Sequence, residues 1–388
     1  MYSSRIRLRG WMMANHGILI AAMSLDFGGA ETHVIDLATR LSGLGFRVSV
    51  ASQGGRLVRR LEQAGIPHLS APLHSRMPSN LLEATRILGN EVRDRRIDLL
   101  HAHGRIPAWV LTQVRRRYSK VPLITTYHGV YAAGFPWNLF TRQGDLCIAV
   151  SDDIKSHLVN HLGFDASRVE VIPNGIDTRR FAPGPYPPLR NDIVDGGGGP
   201  VITSISRLDS EFAKTAMSLV EAIPAIAERH HGAVALVVGD GDRLAGVKQA
   251  CERCNDLLGR RAALAVGGQE DVVPYLLSSD LVVAVARSAL EAMACGKPVV
   301  LAGEGGFRGV LSAANVELLR RHNFTARGSG VAVAAGEISA AATSLLGDDE
   351  LRDEASRLGL KVVTSDYSWE VLVPRTLRVY EKALETGK

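Results

Sequence analysis

The stretch "APGPYPPLRNDIVDGGGGP", residues 182–200, decides the fold. It is rich in proline and glycine and carries no hydrophobic period, the composition of a linker and not of a packed element. The same pattern runs outward from it in both directions. On the amino side, short apolar runs alternate with helical periodicity: "GILIAAM" (17–23), "FRVSVAS" (46–52), "IDLLHAH" (97–103), "PLITTYH" (122–128), "LCIAVS" (146–151) and "VEVIPN" (169–174). On the carboxyl side the alternation restarts with "VITSIS" (201–206), "VALVVGDG" (234–241), "AALAVGG" (262–268), "DLVVAVA" (280–286) and "KPVVLAG" (297–303). Continuous apolar runs between amphipathic helices are strands buried on both faces, which means a parallel sheet covered by helices.

The prediction is an α/β protein of two Rossmann-like, doubly wound parallel-sheet domains facing across a cleft. The first spans 17–181, 182–200 is the linker, and the second spans 201–366. The last segment, 367–388, is an amphipathic helix carrying Trp369, Leu372, Val373, Leu377 and Leu384, expected to return to the first domain. Residues 1–16 imitate a signal peptide, with arginines before an apolar run. His16 interrupts them and "ILIAAM" is too short to span a bilayer, so they are expected to be a disordered leader.

Composition narrows the function. A net charge of +5 over 388 residues is a mild basic bias. Its local runs, "RDRR" (93–96) and "RRR" (115–117), read as solvated helix faces, and no nucleic-acid motif accompanies them. Four cysteines do not make a disulfide framework at this length and suit a reducing cytoplasm. "CERC" (251–254) lacks the second pair or the histidines of a metal site. The expected location is cytoplasmic, with peripheral contact to the inner membrane face allowed by the basic first domain.

In doubly wound sheets ligands bind beyond the carboxyl ends of the strands, and the polar residues there form the candidate site. In "DFGGAETH" (26–33), Gly28 and Gly29 let the backbone approach a ligand at a helix amino end, which suits phosphate; a plain tight turn is the alternative. In "SISRLDSEFAKTA" (204–216), Arg207 and Lys214 are placed to bind a diphosphate, or else are solvated cations. In "RSALEAMACGKP" (287–298), Ser288 and Glu291 have capping-box spacing, while a carboxylate there also suits a ribose diol. His128 ends a strand in "TTYHGVY" (125–131). "HAHG" places His101 and His103 as a possible metal pair without an evident third ligand. "GDGD" (239–242) reads as a strand-to-helix turn more readily than as a metal-binding D-x-D, and Gly239 in it is a candidate donor-binding position. No metal or cofactor is expected.

Taken in order from about residue 17 to the end, these segments resemble the GT-B glycosyltransferases of the retaining family 4 type. "GGAETHV", "TTYHG", "VIPNGID", "ISRLD", "VVGDGD", "LEAMACGKPVV" and the terminal "YSWEVLVPRTLRVYEKAL" carry the likeness, the "VIPNGID" and "LEAMACGKPVV" segments most specifically. The resemblance implies a nucleotide-diphosphate-sugar donor held mainly by the second domain, and a glycan, lipid-linked or small acceptor held mainly by the first. It implies that Arg207 and Lys214 stabilise the leaving diphosphate and that Gly28 and Gly29 approach the donor. It further implies that Glu291 holds the ribose, that His128 lies by the donor sugar, and that no metal is needed.

The chain also departs from the family. Where the family commonly has a second glutamate eight residues before Glu291, Val283 stands inside an apolar run. "AGEGGFRGVL" (302–311) lacks the usual G-G-x-x-E, although Gly305 and Gly306 could present backbone N–H groups and Glu304 a substitute acid. These departures keep open two alternatives: a nucleotide-sugar-binding protein without turnover, and a GT-B nucleotide-sugar epimerase.

Overall fold

The computed structural model describes residues 15–194, 198–209 and 212–386; the leader read at 1–16 falls almost wholly outside them. The chain divides into two compact units. One comprises Met1–Gly175 with Glu370–Lys388, the other Ile176–Trp369.

The first unit runs β1 (Gly17–Ala21), α1 (Gly29–Gly43), β2 (Arg47–Ser52), α2 (Val58–Gln63), β3 (His68–Ser70), α3 (Pro78–Asp94), β4 (Ile97–His103), α4 (Arg105–Arg117), β5 (Leu123–Tyr127), β6 (Leu146–Ala149), α5 (Asp152–Leu162) and β7 (Val169–Val171). Its seven strands lie in the order β3-β2-β1-β4-β5-β6-β7, every pair parallel. Ile18, Leu19, Ile20 and Ala21 are wholly buried, as the unbroken apolar run of β1 requires of a strand covered on both faces. Strand order reverses between β1 and β4, so the helices that follow them, α1 and α4, leave a crevice at the carboxyl ends of those two strands.

In the second unit the elements are α6 (Leu189–Val194), β8 (Val201–Ile205), α7 (Ala213–Arg229), β9 (Val234–Val238), α8 (Leu244–Leu258), β10 (Ala263–Ala265), α9 (Val273–Ser278), β11 (Leu281–Ala284), α10 (Ala286–Ala294), β12 (Val299–Gly303), β13 (Gly306–Val310), α11 (Val316–Arg321), α12 (Ala335–Gly347) and α13 (Asp349–Val362). The strand order is β10-β9-β8-β11-β12-β13, reversing between β8 and β11. The last helix, α14 (Trp369–Thr386), belongs to the first unit from Glu370 onward. Its Tyr380 is fully buried and bonds His101 of β4 at 2.7 Å.

Two features differ from the sequence reading. The second sheet is not wholly parallel, because β13 pairs antiparallel with β12. Only Glu304 and Gly305 separate the strands, and a parallel partner would need a long crossover. Gly305 (φ +95) and Gly306 (φ +121) make the turn. The segment at 182–200 is also not wholly aperiodic. Leu189–Val194 forms α6, and Ile193 is buried with Val201, Val234, Leu236 and Val238. Arg190 pairs with Asp280 at 2.8 Å and lies 4.1 Å from the Tyr186 ring centroid. Residues 195–197 lie outside the described chain. Among the described residues no helix is long and apolar enough to cross a membrane.

Candidate active site

At the carboxyl edge of the first sheet four histidines gather. His101 and His103 come from β4, His128 follows β5, and His33 comes from α1. The His33 ring lies 5.7 Å from that of His103 and 5.5 Å from that of His128, while the His103 and His128 rings stack at 5.2 Å. The hydrogen bonds assign the tautomers. His128 Nδ1 lies 3.0 Å from Asn174 Oδ1, an acceptor, so Nδ1 carries the proton. Burial holds His128 neutral, its pKa lowered to about 4. Its Nε2 therefore accepts from His103 Nδ1 at 2.9 Å. His103 is also kept neutral by burial and by its histidine neighbours, which leaves its Nε2 as a bare, buried nitrogen with no partner among the described residues. His101 is fixed between Tyr380 and Thr126, each at 2.7 Å, its pKa lowered to about 3 by burial.

His101 is thus held by Tyr380 and Thr126 through both ring nitrogens, and His103 by His128 through Nδ1 alone. Among the described residues no group of three or more His, Cys, Asp or Glu is arranged to hold a metal. Beside the cluster, α1 opens at Gly28, whose φ of −177 is extended backbone that any residue can adopt, and Glu31 is the acidic residue of its first turn. A Cβ on Gly28 would meet only the flexible Glu31 carboxylate, at 2.1 Å. Nothing in the local backbone demands glycine there. The space the missing side chain leaves is taken by the Glu31 carboxylate at the first turn, which a ligand approaching the helix amino end would have to displace.

In the second unit the crevice lies between the ends of β8 and β11. Arg207, just past β8, is exposed, 3.8 Å from Asp209 and 5.0 Å from the Phe212 ring. Lys214 is exposed in the first turn of α7. Ser204 and Ser206 bring buried hydroxyls, without partners among the described residues, to the same strand end. At the end of β11, Val285 is extended and Ala286 takes φ +52, a left-handed conformation costly for a residue with a Cβ. The Ala286 amide donates to the Phe324 carbonyl at 2.8 Å.

This start of α10 corrects the capping-box reading. Helix α10 begins at Ala286 with Val285 as N-cap, so Ser288 is already inside it and Glu291 stands in the second turn, not the first. Arg287 Nε donates to Glu291 Oε1 at 2.8 Å, and both side chains are largely buried.

Two family models match the chain in succession: Glycosyltransferase Family 4 over residues 27–180, and Glycosyl transferases group 1 over 199–345. The chain belongs to the family 4, group 1 glycosyltransferases. Among relatives, a D-inositol 3-phosphate glycosyltransferase of Nocardia farcinica is 26% identical over 92% of this chain and 86% of its own length. A phosphatidyl-myo-inositol mannosyltransferase of Mycobacterium leprae is 26% identical over 95% of this chain and 97% of its own. The fold matches a Rickettsia africae glycosyltransferase with a TM-score of 0.76, at 22% identity, over 95% of this chain and 99% of that one. It also matches Anabaena HepE, solved with UDP and glucose, with a TM-score of 0.72 at 19% identity, over 95% of this chain and 100% of that one.

Within this glycosyltransferase the expected residues fall into distinct groups. Gly28 and Gly29 open α1 and His128 follows β5, on elements about the first unit's crevice, while Arg207, Lys214 and Glu291 lie on the elements flanking the second unit's. Three glycines are accounted for by packing. A Cβ on Gly239 would meet the Ser206 carbonyl oxygen at 1.9 Å. On Gly305 it would meet Arg327 N at 2.8 Å, and on Gly306 Ser329 Oγ at 2.0 Å. Glu304 sits exposed at the hairpin tip. "GDGD" is a turn, with Gly241 at φ +157 packed on the Leu208 backbone. Sequence reasoning missed His33, Asn174 and Arg287. The first two lie far from His128 along the chain, so no local spacing marks them; the i, i+4 spacing of Arg287 and Glu291 was visible and passed over.

Proposed function

We propose that the transferase moves a sugar from a nucleotide-diphosphate donor, bound by the second unit, to an inositol-type acceptor bound by the first, with retention of configuration and without a metal. The carrying observation is that Arg207 and Lys214 stand exposed at the point where strand order reverses, one at the end of β8 and one in the first turn of the helix that follows it.

In this reading the two cations, with the amino end of α7, take the donor diphosphate and stabilise the charge that grows on it as the glycosidic bond breaks. The Glu291 carboxylate holds the ribose diol, and Arg287 orients it. Retention follows if the acceptor hydroxyl attacks on the face that the diphosphate leaves, its proton passing to the departing phosphate. His128 is neutral and both its nitrogens are engaged, so it serves the sugar through its backbone or by giving up one of those bonds. The inositol acceptor is supported by the two relatives, whose names both specify inositol.

The experiment is nucleotide release from uridine-, guanosine- and adenosine-diphosphate sugars, with and without inositol 3-phosphate or phosphatidylinositol, in buffer with EDTA. Acceptor-dependent release from one donor, with the product's anomeric configuration matching the donor's by NMR, is the expected result. Release that EDTA abolishes, or an inverted product, removes the corresponding part of the proposal. Nucleotide binding without release under every condition would mean a binding protein, in keeping with Val283, fully buried within β11, in place of a glutamate.

A further inference from the structure

Arg105 opens α4, immediately after the N-cap Gly104, and only 5% of it is exposed. Its single hydrogen bond runs from Nη2 to the Ala132 carbonyl at 2.7 Å. Its Nε is buried with no partner, and among the described residues no carboxylate pairs with it. Two rings lie against the guanidinium, Tyr131 with its centroid at 5.2 Å and Trp137 at 5.6 Å. The same indole also carries Arg76 at 4.4 Å, an exposed cation that likewise has no carboxylate partner among the described residues.

Two effects oppose this arrangement. Burial penalises a charge that has no counter-ion beside it. The amino end of α4 adds positive potential, and no acidic residue occupies its first turn. The cation–π contacts with Tyr131 and Trp137 offset only part of that cost. Arginine cannot escape by deprotonating. One residue on the other side of Gly104, His103 Nε2 is a second buried polar atom without a partner, and the Tyr131 hydroxyl would stand 3.4 Å from a Cβ on Gly104. Unpaired polar groups therefore flank one helix amino end, at the crevice where the first sheet's strand order reverses.

We propose that Arg105 and Arg76, with the amino end of α4, form an anion site that takes the phosphate of a phosphorylated inositol acceptor. The site supplies what each opposing effect lacks, a doubly charged, multiply accepting group within reach of a planar fork of donors. This rests on the acceptor reading above but separates from it. The anion site stands on Arg105 whatever the phosphate is attached to.

The test uses the full chain, titrated with inorganic phosphate, D-myo-inositol 3-phosphate, myo-inositol, and phosphatidylcholine vesicles with and without phosphatidylinositol. Variants are Arg105→Gln, Arg105→Lys and Arg76→Ala, the last at an exposed position where folding is not at stake. Inositol 3-phosphate is expected to bind wild type more tightly than inositol does. Its affinity should fall by about 10- to 100-fold in Arg105→Gln, and less in Arg105→Lys and Arg76→Ala, with nucleotide-diphosphate binding unchanged. Vesicle binding that needs phosphatidylinositol and Arg105, without a response to the soluble ester, would assign the same phosphate to a lipid headgroup. Phosphate binding that needs Arg105 while neither inositol compound binds would keep the anion site and sink the acceptor reading. Equal affinities across wild type, Arg76→Ala and Arg105→Lys, or equal losses on nucleotide and inositol phosphate, would overturn the proposal.

Discussion

Arg287 Nε and Glu291 Oε1 meet at 2.8 Å across one turn of α10, and each side chain is only 11% exposed. The proposed ribose ligand is therefore also half of a nearly dry ion pair, and the two roles make separable predictions. Glu291→Ala leaves a buried guanidinium without this partner and should destabilise by about 3 kcal/mol, a fall in Tm of roughly 2–4 °C for each kcal/mol. The double change Arg287→Met with Glu291→Leu should restore much of the Tm. Donor binding, measured by calorimetry, should not return with it. If it does, the carboxylate acts through the fold alone.

Lys214 tests the leaving-group role. It is exposed, so Lys214→Ala should change stability by less than about 0.5 kcal/mol. Its kcat should fall by about 100-fold or more, as on removal of a transition-state charge contact, with a smaller change in KM. A rise in KM at constant kcat would place Lys214 in ground-state binding only.

Two glycines should part company. Gly306→Ala puts a Cβ 2.0 Å from Ser329 Oγ and 2.3 Å from the Val331 carbonyl at φ +121, and should lose well over about 1 kcal/mol. Gly28→Ala has extended backbone and only the mobile Glu31 carboxylate in the way. It should keep its melting temperature and lose ligand affinity. Thermal melts beside binding titrations decide both.

Acid should weaken the first unit before its carboxylates titrate. Burial lowers the pKa of His101 to about 3 and of His128 to about 4, from the ordinary 6.5. Between those values and 6.5 the unfolded chain binds more protons than the folded one, so stability falls as pH drops. The contribution is complete above pH 6.5 and diminishes by about 1.4 kcal/mol per pH unit for each histidine down to its folded pKa. Melts at pH 7.5, 6 and 5 should show the decline. A flat profile would mean that these rings stay accessible to protons.

The thiols should be silent in the folded chain. All four are buried, and burial pushes Cys251 up to about 11 and Cys147 and Cys295 up to about 12. A thiol reagent at pH 7.5 should react slowly with native protein and rapidly with all four after unfolding. Fast labelling of "CERC" in the native state would reopen a redox role.

Much of the architecture was legible because fully buried parallel strands leave an unmistakable trace. The run at 97–103 coincides with β4, and those at 17–23 and 201–206 overrun β1 and β8 only at their carboxyl ends. What escaped was short or local in meaning. His68–Ser70 is a three-residue edge strand, below the length at which period can be read. The Gly305–Gly306 pair is a hairpin turn whose necessity lies in residues 327–331, far along the chain.

The chemistry divides the same way. Sequence alone set the alternation of strand and helix, the family, and the cations at the strand ends, because these depend on period and on residue order. Tertiary structure decided the state of each group. His103 has a bare nitrogen because Asn174 fixes His128, 46 positions along the chain from it. Glu291 is paired because α10 starts at Ala286 and places Arg287 one turn before it. Among the described residues Arg105 has no carboxylate partner, because folding buries it against Tyr131 and Trp137 with the Ala132 carbonyl as its acceptor. Protonation is set by burial and by neighbours that are mostly distant in sequence, and of these pairings only the i, i+4 spacing of Arg287 and Glu291 is carried by the linear order.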